Sequence, residues 1–130
     1  MPAGVFTHSI TTGYKSDEGT VTSVIQSFTG DAEEGVEDSL AIGTTNKEYD
    51  LVVTKAKIVC MCIYASKACT FKTNSSSTPQ DTITIAAGQQ VVWRNTDTAA
   101  CPFSADITKI FVTNTDTAIA NVKVRVLLAL

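Results

Sequence analysis

Four cysteines, one histidine, a run of acids and one tryptophan are the side chains here whose types could do chemistry. Cys60, Cys62, Cys69 and Cys101 could in principle close a tetrahedral zinc site, because four thiolates suffice for one. Structural zinc sites, however, offer ligands in two short knuckles. In this chain a Cys-x-Cys pair is followed by single cysteines at intervals of seven and thirty-two positions. The spacing argues against a metal, and the expectation is buried free thiols serving as small apolar fillers. Cytoplasmic synthesis disfavours a disulfide, although the spacing alone does not decide whether any two cysteines pair.

His8 is the only histidine. A histidine-assisted nucleophile needs that imidazole beside a Ser or Cys and oriented by a carboxylate. The flanking Thr7 and Ser9 supply no such arrangement, so His8 reads as a partly exposed strand residue. The segment Asp31 to Asp38 holds five acids in eight residues. It lacks the ligand rhythm and closing glutamate of a calcium loop and reads as a solvated loop. Asp81, Asp97, Asp106 and Asp116 are scattered in turn-like contexts, where Asp caps its own backbone, rather than paired as in a glycosidase. Trp93, with Arg94 and Phe103, could form a stacking platform for sugars or bases. Alternation puts Trp93 on the same face as Val91, which fits a core plug better. No glycine-rich phosphate loop occurs. The expectation is a protein that is not an enzyme and uses no metal or cofactor.

The elements that carry these residues are β-strands. Ala120, Val122, Val124, Val126 and Leu128 alternate with Asn121, Lys123 and Arg125, the period-two pattern of a half-buried strand. Similar short stretches rich in Val, Ile, Thr and aromatics cover 5–10, 20–29, 39–42, 49–53, 56–64, 69–73, 82–86, 90–93, 107–113 and 118–128. Ten short strands in 130 residues predict a single all-β domain over 1–130, an antiparallel β-sandwich, with residues 1–12 as an extended N-terminal arm. Ala65 to Ala68 is of hairpin length, which predicts that the strands on either side pair, and 113–117 reads as the turn of a closing hairpin. Gly88 marks a tight turn. The stretch Ile58 to Tyr64 is apolar on both faces, so its second face needs a cover from the same chain or from a neighbouring subunit.

Net charge is −3, with −7 in residues 1–54 and +4 in residues 55–130. Such halves could attract a neighbour's opposite half, but a fold that interleaves them evens the field, and that is the expectation. The charge is too small for a general nucleic-acid binder. Met1 to Phe6 has no basic start, and no stretch approaches the roughly 18 apolar residues of a membrane span. Synthesis in the cytoplasm, without a membrane partner, is expected.

The second half of the chain resembles a group of small structural proteins of tailed bacteriophages. The resemblance rests on four blocks in order. These are Ala56 to Tyr64 with Cys69 to Asn74; Ser75 to Pro79 running into Asp81 to Gly88; Val91-Val92-Trp93; and Pro102-Phe103 leading to Asp106-Ile107, Val112 to Asn114 and the closing strand. It covers roughly residues 50–130 and implies a jelly-roll-like virion component. The decoration or cement type seats on the outside of the head across joints of the major capsid protein, as a homo-oligomer such as a dimer or trimer. Residues Val5, Phe6, Thr7, His8 and Ile10 would then be a docking arm able to add a strand to a neighbour's sheet. A tail or baseplate accessory module and a carbohydrate-binding module are the alternatives.

Overall fold

The computed structural model describes residues 6–15 and 21–129. Its elements are ten strands: β1 (Phe6–Lys15), β2 (Val21–Gly30), β3 (Ala32–Leu40), β4 (Lys47–Val53), β5 (Ile58–Ala65), β6 (Cys69–Thr73), β7 (Thr82–Ile85), β8 (Gln89–Arg94), β9 (Ile107–Asn114) and β10 (Ala120–Leu128), with a 3-10 turn at Lys55–Lys57. The chain is an all-β antiparallel sandwich. One sheet runs β3-β10-β5-β8, the other β4-β9-β6-β7, and β1-β2 form a separate two-stranded ribbon.

Strand pairing is nested: β3 pairs with β10, β4 with β9, β5 with β8 and β6 with β7. Strands β3 to β6 therefore go out and β7 to β10 return beside them, as in one long hairpin wrapped so that its rungs alternate between the two sheets. This corrects two expectations drawn from loop length. The three-residue link after β5, Ser66 to Ala68, leads to β6 in the opposite sheet, and the turn after β9 likewise crosses to β10. A link of this length reaches across two sheets about 10 Å apart as readily as it closes a hairpin. The glycine turn is as expected: Gly88 has φ 72° and Gln89 N donates to Ala86 O at 3.1 Å.

The core lies between the two sheets. Val122, Val124 and Val126 of β10, with Met61 and Ile63 of β5, face Leu51, Val53, Phe71, Ile110 and Val112 of the other sheet, all of them buried. Trp93 is partly buried against this core, and its Nε1 donates to Ala99 O at 2.9 Å, so its ring is a plug.

The acidic segment is not a loop. Residues 32–40 form β3, because alternation places Val36 and Leu40 inward, buried at 8% and 1%, while Glu33 and Glu37 point out beside β10. The bases of β10 compensate the acids: Arg125 Nη2 meets Glu37 Oε2 at 2.8 Å, and Lys123 lies 3.9 Å from Glu37. Lys109 similarly reaches Glu48 at 2.7 Å across β9 and β4. The acidic and basic halves of the sequence are thus interleaved strand by strand. Among the described residues no helix is long and apolar enough to cross a membrane.

Candidate functional site: the cleft beneath the N-terminal hairpin

Ten rungs join β1 to β2, from Phe6 opposite Gly30 to Lys15 opposite Val21. Strand β2 passes through Gly30 and Asp31 directly into β3, so the base of this hairpin is tied to the edge where β3 meets β10. Asp31 N donates to Leu128 O at 2.8 Å. The approach is close enough to require glycine, since a Cβ at position 30 would lie 2.6 Å from Leu128 O.

Beneath the hairpin base, the outer face of the first sheet is apolar. Leu127 of β10 and Cys60 of β5 are cross-strand partners that point away from the core, yet they are only 0% and 2% exposed. The second apolar face of β5 is therefore covered at this end by the chain's own N-terminal hairpin. Further along, the covering is looser, and a cleft of about 430 Å3 opens between Thr7, His8, Ser9 and Ile10 on one side and Glu33, Cys60, Met61, Cys62 and Arg125 on the other.

His8 sits at the mouth of this cleft with both ring nitrogens engaged. Nε2 lies 3.1 Å from Glu33 Oε2, and Nδ1 lies 3.9 Å from Cys60 Sγ. The side chain is 20% exposed, so the partly exposed strand residue of the sequence reading is also a bridge between two elements. A carboxylate and a thiol nevertheless stand beside this imidazole in space. Its partners lie 25 and 52 residues away, out of reach of any local motif. Arg125 reaches toward Glu33 at 4.0 Å as well as pairing with Glu37. It can lie across β3 because residue 35 is glycine: a Cβ there would be 2.5 Å from Arg125 Nη1.

All four thiols are free, Cys60 and Cys69 being buried and Cys62 and Cys101 half-buried. Burial pushes the Cys60 thiol up from its ordinary value, against an opposing pull from the Arg94 guanidinium. Arg94 is the cross-strand neighbour of Cys60 on β8. Among the described residues no group of three or more His, Cys, Asp or Glu side chains is arranged to hold a metal ion.

Of the residues read as a docking arm, Phe6, Thr7, His8 and Ile10 fall in β1, and Val5 lies outside the described residues. Thr7, His8 and Ile10 line the cleft, and Phe6 is 40% exposed at the hairpin base. Cys60 was weighed by sequence as a metal ligand or apolar filler, Glu33 only as part of an acidic run and Arg125 only as a strand residue, so nothing joined them to His8. Parity along β5, which puts Cys60 and Cys62 on one face, was the signal available. No protein-family model, curated protein or solved structure matches this chain.

Proposed function

We propose that this chain is a structural component of a tailed-phage virion, a decoration protein that seats on the outer head surface and bridges joints between copies of the major capsid protein. In this reading it acts as a dimer or trimer, and the β1–β2 hairpin is the element that engages the neighbour. The observation that carries the proposal is the hairpin itself. A two-stranded ribbon is marginally stable in water unless one face is packed. Here the ribbon belongs to neither sheet and leaves Ile25 67% exposed and Phe6 40% exposed, so it has surface to give to a partner.

Two further features support the reading. Nested pairing of eight strands in two four-stranded sheets supports a jelly-roll reading, an architecture that viral capsid and lectin domains share. The sequence blocks that resemble phage structural proteins fall on β5 to β10, which hold two of the four nested pairs, β5 with β8 and β6 with β7. Exposed Ile42 and Ile119, at 63% and 61%, offer a second apolar contact. They follow Ala41 and Ala118, whose carbonyls both accept from Asn114 Nδ2.

The test is co-sedimentation of the purified protein with phage heads lacking their decoration layer, alongside isolated tails, with light scattering to give the oligomeric state. Saturable binding to heads, reduced when Phe6 and Ile25 are both changed to Ser, is the expected result. Binding to tails alone transfers the proposal to a tail or baseplate module. A monomer that sediments with neither refutes it.

A further inference from the structure

We propose that Cys60, His8 and Glu33 form a nucleophilic thiol site, in which Cys60 Sγ attacks, His8 Nδ1 is the general base and Glu33 is a positioning residue, and that this site takes a small acyl group from an activated ester or thioester. The site uses residues of one chain only and does not rest on the virion reading.

The hydrogen bonding fixes the roles. Glu33 can only accept, so Nε2 of a neutral His8 carries the proton toward it at 3.1 Å, and Nδ1 is left as an acceptor facing the thiol at 3.9 Å. Catalytic contacts are often long before substrate is bound and tighten in the complex. Burial holds the Cys60 thiol protonated near neutrality, so a nucleophile here needs an adjacent proton acceptor. The chain's only imidazole occupies that place.

The thiol is also open to a substrate. Cys60 forms part of the wall of a solvent-open cleft of about 430 Å3, which is at the small end of ligand sites and selects a short acyl group. Arg94, beside Cys60, has a buried Nε with no hydrogen-bond partner among the described residues. Its guanidinium pairs with Asp97 at 3.6 Å and lies outside the residues that line the cleft, so Arg94 acts on the thiol as a nearby positive charge.

The step balances as follows. The proton on Sγ passes to His8 Nδ1, the sulfur forms a bond to the acyl carbon, and the donor's C–O or C–S bond breaks. The leaving alkoxide or thiolate takes the proton from Nδ1. Water then attacks the acyl-Cys60 thioester, releasing the carboxylic acid and restoring the thiol, with His8 accepting the water proton and returning it to sulfur.

The experiment treats the full chain with p-nitrophenyl acetate, follows nitrophenolate release, and locates the acetyl group by peptide mass spectrometry. The expected result is acetyl on Cys60, with the burst lost in Cys60→Ser and retained in Cys101→Ser. His8→Gln should react on the order of 10²-fold more slowly, the low end for loss of a positioned base, and added imidazole should restore part of the rate to His8→Gly. Glu33→Gln should also be slow, with recovery in Glu33→Asp, a rescue that a purely structural carboxylate would not give. Circular dichroism checks that each variant is folded; should the His8 variants fail to fold, the Glu33 pair carries the test. Acetyl on another cysteine or on amines in preference to Cys60 overturns the proposal, as does a wild-type rate in folded His8→Gln or, failing that variant, in Glu33→Gln.

Discussion

Replacing Gly30 by alanine tests whether the hairpin is seated as closely on the sandwich as its geometry demands. The new Cβ would lie 2.6 Å from Leu128 O, 2.8 Å from Leu127 Cγ and 2.9 Å from Leu127 Cδ1. The leucine side chain can rotate away, but the carbonyl is fixed by its hydrogen bond from Asp31 N at 2.8 Å. Contacts of this kind essentially never fall below 3.0 Å, so the two backbones must separate by about 0.4 Å or more. Forcing an extra methyl into a packed site costs about 1–3 kcal/mol. The stiffer unfolded chain returns about 0.4–1 kcal/mol, which leaves a net loss of about 1–2 kcal/mol. Urea unfolding should show a lower midpoint at unchanged slope. The same displacement uncovers Cys60, so iodoacetamide should alkylate it faster in the variant than in the parent. A stability within about 0.3 kcal/mol of wild type, together with an unchanged alkylation rate, would show that the hairpin is not held against β10 and would refute the reasoning.

Leu127→Ala should cost about 2–5 kcal/mol in the same assay, as for a core leucine, because its outward-facing side chain is fully buried under the hairpin; a loss under about 0.5 kcal/mol would mean the hairpin does not cover it. Asn114→Ala should cost about 2–3 kcal/mol, measured by thermal or urea unfolding. The buried Asn114 Nδ2 donates to Leu40 O, Ala41 O and Ala118 O at 3.2, 3.2 and 2.9 Å, and those carbonyls would lose their donor. Asp38 accepts from Lys47 Nζ at 2.7 Å, Tyr49 Oη at 2.5 Å and Ser39 N at 2.8 Å, and these bonds, Lys47's first, hold its carboxyl at about 2. Its folded value is depressed, so its contribution is complete above about pH 4 and is lost as pH falls through about 2. Asp38→Asn should lower stability at pH 7 by about 1 kcal/mol, after allowance for solvent screening at a partly exposed pair, and should flatten the stability curve between pH 4 and pH 2; an unchanged curve would remove Asp38 from the acid response.

What the sequence made legible was the part governed by local alternation. The face Ala120, Val122, Val124, Val126 and Leu128 points into the core as its spacing requires, and each expected strand overlaps one in the structure. The acidic run was misread because five acids in eight residues masked the weaker beat of Val36 and Leu40. The charges that make a strand tolerable there come from Lys123 and Arg125, the latter 88 residues from its partner Glu37. Loop lengths misled for a related reason: the three residues between Ala65 and Cys69 suit a hairpin and a sheet-to-sheet crossing equally, and the choice is made by strands far away in sequence. The cleft was illegible on the same grounds, since His8, Glu33 and Cys60 share no spacing that a motif could encode.

Topology explains why those three residues meet. The nested pairing sets the first strand of the sandwich, β3, beside its last, β10, with β5 on the far side of β10. Any segment preceding β3 must therefore leave from that edge, and the short passage through Gly30 and Asp31 gives it no room to swing away. The hairpin is laid across β10 toward β5, and with an antiparallel register of His8 opposite Phe28 the imidazole comes down over Cys60 while Glu33 rises beside it from β3. One ribbon is consequently both the exposed element available to a partner and one wall of the thiol site. A partner that draws the hairpin off the sheet must separate His8 from Cys60, so docking and thiol reactivity are opposed by geometry even though neither proposal depends on the other.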